Sequence, residues 1–152
     1  MSTTTTLSEL PGLVGQEIGT SDWYEVSQES VNLFADATGD HQWIHVDIER
    51  AKAESPFGGP IAHGYLTLSL LIPLFEQVLT VEGVAMGVNY GLNKVRFPSP
   101  VPVGAKVRLT ATLKAVEEVA GGLQAIYTAV IAREGGEKPV CIAEPIYRYY
   151  AG

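Results

Sequence analysis

Gly64-Tyr-Leu-Thr-Leu-Ser-Leu-Leu-Ile-Pro-Leu-Phe-Glu-Gln-Val-Leu79 is long enough for several helical turns and is apolar on almost every side. A helix of that kind must be enclosed on most of its faces. Thr67, Ser69, Pro73, Glu76 and Gln77 interrupt it, and a membrane span needs about 20 mostly apolar residues. The stretch therefore reads as a long buried helix, and the rest of the chain must supply its cover.

The cover lies downstream. From Ala105 to Ala115 every odd position is apolar and every even one is polar (Lys106, Arg108, Thr110, Thr112, Lys114). This is the pattern of a sheet with one wet face. Gly121-Gly122 and Gly135-Gly136 supply turns on either side of a strand over Leu123–Arg133. Pro139–Tyr150 completes a meander, and Val84–Phe97 precedes it.

Upstream, residues 1–20 are polar and glycine-punctuated, and read as a loosely structured lead-in. A short strand near Trp23–Val26 follows. Ser27 can cap a helix over 28–38, with Glu29 in its first turn. Val31 with Phe34, and Leu33 with Ala37, supply its buried stripe. Gly39 ends it. Asp47 caps a second short helix to about Ala53, and Ser55-Pro-Phe-Gly-Gly-Pro60 is a loop. There is no internal repeat. The expected architecture is α+β: a curved antiparallel sheet of about five strands wrapped around a long central helix, the hot-dog arrangement, as a single domain over 1–152.

The 17 acidic against 10 basic residues give a net charge of −7. That balance argues against nucleic acid or an anionic membrane as the main partner, but a few local Lys and Arg residues can still serve one phosphate group. Cys141 is the only cysteine, so no intramolecular disulfide can form, which fits a reducing compartment. The opening residues have neither a basic nor an apolar run of the secretion-signal kind. A cytoplasmic location is expected.

No nucleophile elbow, phosphate-binding loop, dinucleotide fingerprint or paired-histidine zinc motif is present. Cys141 lies in an apolar strand and reads as a core thiol. His41, His45 and His63 are the only histidines, and their spacing matches no helical ligand pair.

Two segments remain, Phe34–Asp47 and Pro60–Tyr65. Asp40 and His45 flank a helix end with apolar Trp43, Ile44 and Val46 around them. A carboxylate and an imidazole in a dry pocket can share one water, one orienting it while the other moves its proton. Spacing alone gives more support to a structural account, in which Asp40 caps a turn and His45 is a hydrogen-bonded core residue. His41 is expected to be exposed or structural, and Asp36 and Asp47 solvated or capping. Gly64 opens the long helix, where first-turn N–H groups lack internal partners and no Ser, Thr, Asp or Asn stands ready to cap them. Such an N–H could hold a developing oxyanion; simple close packing of Gly64 explains it equally.

At these segments the sequence resembles the MaoC-like dehydratases, the hydratase-2 or (R)-specific enoyl-CoA hydratase group. Phe34, Thr38-Gly39-Asp40, Ile44-His45 and Ala51 match the family pattern in kind and spacing. Ala62-His63-Gly64 matches its Ala-His-Gly, and Arg96-Phe97 followed by Val101-Pro102-Val103-Gly104 matches its downstream signature. Gln42-Trp43 stands where the family has Asn-Pro. The longer stretch between Asn89 and Arg96 resembles a subgroup similar to nodulation protein N.

The resemblance turns the balance toward a catalytic Asp40 and His45. It implies hydration of trans-2-enoyl-CoA to (R)-3-hydroxyacyl-CoA, with Gly64 as the oxyanion hole. Ala62, His63, Tyr65, Gln42, Arg96 and Phe97 are candidate substrate contacts, and Arg96, Lys94 or Arg108 could meet nucleotide phosphates. It further implies a homodimer with no metal or organic cofactor, coenzyme A being part of the substrate. A thioesterase on the same fold and a non-catalytic acyl-binding or scaffold subunit are the alternatives.

Overall fold

The alternation that begins at Ala105 becomes the centre of the sheet. The computed structural model describes all residues, 1–152. Its N-terminal part holds β1 (Thr3–Thr6), a 3-10 turn (Leu10–Leu13), β2 (Glu17–Thr20) and β3 (Tyr24–Glu25). Helices α1 (Gln28–Thr38), α2 (Trp43–Val46), α3 (Ile48–Glu54), α4 (Gly64–Ser69) and α5 (Leu71–Val78) follow. Then come β4 (Leu79–Glu82), β5 (Val84–Arg96), β6 (Lys106–Val119), β7 (Gly122–Arg133) and β8 (Cys141–Ala151).

The main sheet is antiparallel, in the order β2-β6-β7-β8-β5, with β3 also paired to β6. Val107, Leu109, Ala111 and Leu113 of β6 point inward and are fully buried, while Lys106, Arg108 and Lys114 face solvent. In register across three strands stand Ala111, Ala129 and Ala143. That row of small side chains leaves room for α4 and α5, which bury Leu66, Leu71, Leu74, Phe75 and Val78 in the curve of the sheet. Each such side chain stabilises the fold by roughly 1.5–3 kcal/mol. The fold is the hot-dog arrangement, of α+β class. No helix is long and apolar enough to cross a membrane.

Five expectations need correction. The central helix is broken: α4 ends at Ser69 and α5 begins at Leu71. Pro73 explains the break, because it has no N–H to give to the carbonyl four residues back and its ring crowds that carbonyl. The helix pair is also not enclosed all round, since Tyr65 and Ile72 are 72% and 44% exposed along one flank. Residues 1–20 are not loose: Leu10 and Ile18 are fully buried, β2 joins β6, and β1 runs parallel to β4 in a separate pair. The main sheet therefore has six strands rather than about five. In α1 the buried positions are Val31 and Ala35, whereas Leu33 is exposed.

Local signals read from sequence hold at the helix ends. Ser27 accepts from the Ser30 N–H at the start of α1, and Asp47 accepts from the Arg50 N–H at the start of α3.

Candidate active site

Gly39 takes φ 82° at the end of α1, a left-handed turn that favours glycine. The chain thereby swings out and presents Asp40. The Asp40 carboxylate accepts the Gln42 N–H at 3.3 Å, so the turn-capping role read from sequence is present and leaves the side chain at the surface. One turn later α2 carries His45, only 6% exposed.

His45 is held by main chain. Its Nδ1 lies 2.7 Å from the Ile61 carbonyl. A carbonyl only accepts, so Nδ1 carries the hydrogen and Nε2 presents a bare lone pair. The Ile61 N–H returns a bond to the Ile44 carbonyl at 3.0 Å, and the Gln28 side-chain amide donates to the His45 carbonyl at 2.9 Å. Burial holds the imidazole below its ordinary value of 6.5, outweighing the Ile61 hydrogen bond that acts to raise it. Ile61 and Gln28 were not singled out from sequence. Nothing in the Ile61 side chain could signal that its carbonyl orients a histidine.

The strap that carries Ile61 is itself anchored. Ala62 donates to the Val101 carbonyl at 2.8 Å, and Val103 donates to the Pro60 carbonyl at 3.0 Å. It delivers His63, 2% exposed, to the start of α4. The His63 ring stacks on His45 at 3.9 Å between centroids, with an interplanar angle of 26°. No side chain caps α4, so the Gly64 N–H has no intrahelical partner. A Cβ on Gly64 would stand 3.1 Å from the Phe97 ring. Close packing of Gly64, the alternative left open by the sequence, is thus also present, against an aromatic side chain.

Asp40, His45, His63, Gly64, Tyr65 and Phe97 line one open cleft of about 220 Å³. A larger, mainly apolar cavity of about 430 Å³ shares Gly64 and Phe97 with it and is also bounded by Phe57, Ile61 and Val101. Other sequence candidates stand elsewhere. Ala62 is buried and walls the larger cavity, not the cleft. Gln42 contributes its backbone to the Asp40 turn, and its side chain is not among the walls. Arg96 donates to the neighbouring Val95 carbonyl and, like Lys94, lies outside the cleft. Arg108 stacks over Trp23 at 4.3 Å. His41 is exposed and pairs with Asp36 at 2.9 Å.

Polar atoms of Asp40, His45 and His63 come within 4.8 Å of one another. The stack argues against a shared metal ion. Ring planes inclined by 26° and centred 3.9 Å apart meet well beyond the roughly 2 Å reach of a metal–nitrogen bond. The arrangement suits handling a proton on a small molecule in the cleft: one carboxylate, one neutral imidazole and one N–H donor.

The sequence model of the MaoC like domain matches residues 9–134, a span that contains every wall of this cleft. The chain belongs to the MaoC-like family. The 3-hydroxyacyl-thioester dehydratase Z of Mycobacterium tuberculosis is 55% identical over 152 residues, covering 99% of this chain and 100% of that protein. Nodulation protein N of Rhizobium meliloti is 48% identical over 139 residues, covering 90% and 86%, in agreement with the subgroup read from sequence. Among solved structures, an (R)-hydratase from A. caviae involved in PHA biosynthesis superposes with a TM-score of 0.72 at 28% identity, over 88% of this chain and 94% of that one. The hot-dog fold of this MaoC-like chain is therefore shared over almost its whole length.

Proposed function

We propose that this MaoC-like protein is an (R)-specific enoyl-CoA hydratase, adding water to trans-2-enoyl-CoA to give (R)-3-hydroxyacyl-CoA and running the dehydration in reverse. The observation that carries the reading is that Asp40 and His45, whose Nε2 is left bare, line one cleft together with Gly64. The names of the dehydratase and (R)-hydratase relatives support it.

In the forward direction the water oxygen bonds to the β-carbon, the double bond opens, and negative charge gathers on the thioester oxygen. Asp40 and His45 hold the water, withdraw one of its protons and return a proton to the α-carbon, so both halves of the water end in the product. The lowered basicity of His45 keeps its ring neutral and ready to accept. The Gly64 N–H receives the enolate oxygen, a kind of donor whose removal costs about 3 kcal/mol. Tyr65 and Phe97 flank the thioester, and the apolar cavity across Gly64 and Phe97 offers room for part of the substrate. No metal or organic cofactor enters the scheme.

The active assembly in this reading is a homodimer. β5 ends the sheet with one edge unpaired, and Met86, Tyr90 and Leu92 along it are 55%, 56% and 40% exposed. Long edges of this kind favour pairing with another chain.

Incubation with a short trans-2-enoyl-CoA, followed by chiral analysis of the 3-hydroxyacyl product and a thiol assay, tests the reading. The (R) product without thiol release is expected. Free thiol in step with substrate loss would indicate a thioesterase, and an unchanged substrate would indicate a non-catalytic binding subunit.

A further inference from the structure

His63 forms part of the cleft wall but is only 2% exposed, and it touches both halves of the pair above. Its Nε2 lies 3.0 Å from the main-chain carbonyl of Asp40. The carbonyl can only accept, so Nε2 carries the hydrogen and Nδ1 is bare. That Nδ1 is buried with no hydrogen-bond partner. A buried polar atom without a partner costs stability, so this side chain is not what stability alone would select. Its ring covers His45, and Phe34 of α1 approaches it at 4.9 Å, tilted by 54°.

From this geometry we propose that His63 is a positioning residue that sets Asp40 and His45 relative to one another. The proposal rests on the hydratase reading and deepens it. The two bonds do different work. The Nε2–H tether fixes the exposed Asp40 loop to the start of α4, across 23 residues of chain. The stacked face holds the plane of His45, alongside the one hydrogen bond its ring makes, from Nδ1 to Ile61. A lone hydrogen bond lets a ring rock about its axis; a face-on neighbour stops it. The stacked ring is part of the cover over His45, and burial is the main reason the basicity of His45 is lowered. The titratable groups acting on His45 are Asp40, which raises it, and His63, which lowers it. In this account Phe34, one of the positions that match the family pattern, helps to keep His63 in place.

Two substitutions separate the two bonds. His63→Phe keeps an aromatic face against His45 and removes the donor to Asp40. His63→Gln keeps a donor and removes the face. For His63→Phe, kcat should fall on the order of 10²-fold, with KM within a few-fold of wild type and a smaller upward move of the acid limb of the pH profile than in His63→Gln, since only the His63 charge is lost. For His63→Gln, kcat should also fall, and the acid limb should move to higher pH as water reaches His45. A merely structural His63 would lower the melting temperature of both variants and move the acid limb of both alike, which overturns the proposal. Nitrogen-15 NMR of the three imidazoles in the wild-type protein gives a readout independent of turnover and of variant folding. The Nε2–H tautomer is expected for His63, as is a His45 titration that moves upward in His63→Gln. A His63 found with its hydrogen on Nδ1 overturns the proposal, even where the enzyme proves to be a hydratase. The expected tautomer and shift in a protein that hydrates nothing would uphold the positioning geometry and reject the hydratase reading alone.

Discussion

At the scale of single residues, the site depends on which nitrogen of His45 is free. The Ile61 carbonyl settles that by occupying Nδ1, and burial then keeps the ring from charging easily. This has a cost in acid. Between the ordinary value of 6.5 and the lowered folded value, the unfolded chain binds a proton that the folded chain does not, so stability falls as pH drops through that window. His41 acts in the opposite sense. Its hydrogen bond to Asp36 raises it, so it adds stability below about pH 6.5 that is lost as pH rises past its raised value. Comparing wild type with His45→Gln isolates the buried ring. Below about pH 6.5 the wild-type melting temperature should decline more steeply than that of the variant; parallel curves would argue against a buried neutral imidazole. Asp40 and His45 stood out in the sequence only through the family resemblance, since their spacing alone favoured a turn cap and a core histidine, and the one-turn helix that carries His45 gave no signal of its own. The stacking of His63 was not legible, because its ring meets His45 only after the strap through Ile61 has folded back. Arg96, Lys94 and Arg108 stand outside the walls of the cleft, because charge alone does not say where a strand residue points.

At the scale of elements, segments whose partners are near in sequence were read correctly and those paired at a distance were not. The caps Ser27 and Asp47 act within three residues of themselves, and the β6–β8 meander follows from alternation and glycine turns. The first twenty residues offer no such signal. β1 is a run of threonines that pairs Thr3 with Leu79, and β2 docks on β6 near Thr110 and Thr112. Their order comes from main-chain pairing and from Leu10 and Ile18, two apolar side chains too sparse to show a period. Leu10 is fully buried in its 3-10 turn. Leu10→Ala should cost about 2–5 kcal/mol in denaturant unfolding. A loss well under 1 kcal/mol would return this segment to the status of a loose lead-in. The broken central helix teaches the complementary point: Pro73 was visible, but its effect on the carbonyl of Ser69 is a matter of backbone geometry that an apolar pattern does not record.

At the scale of the whole molecule, the open flank is the chief departure from the expected enclosed helix. Tyr65 and Ile72 on the helix pair, and Met86, Tyr90 and Leu92 on β5, leave apolar side chains in water. Exposed apolar area on this scale marks an interaction surface, and a second copy of the chain would cover it in the homodimer proposed above. Sedimentation velocity should show a dimer for the wild type. Leu92→Lys, at a position already 40% exposed in the protomer, should shift the protein toward monomer without lowering its helix content. A wild-type monomer at micromolar concentration would remove the dimer from the account. The central claim, that a carboxylate and an imidazole act together on one water beside an activated double bond, is tested most directly by the loss of crotonyl-CoA ultraviolet absorbance. Wild type should bleach it, and Asp40→Asn and His45→Gln should each be slower by about 10²–10⁴-fold while remaining folded by circular dichroism. Wild-type rates in both folded variants would contradict it.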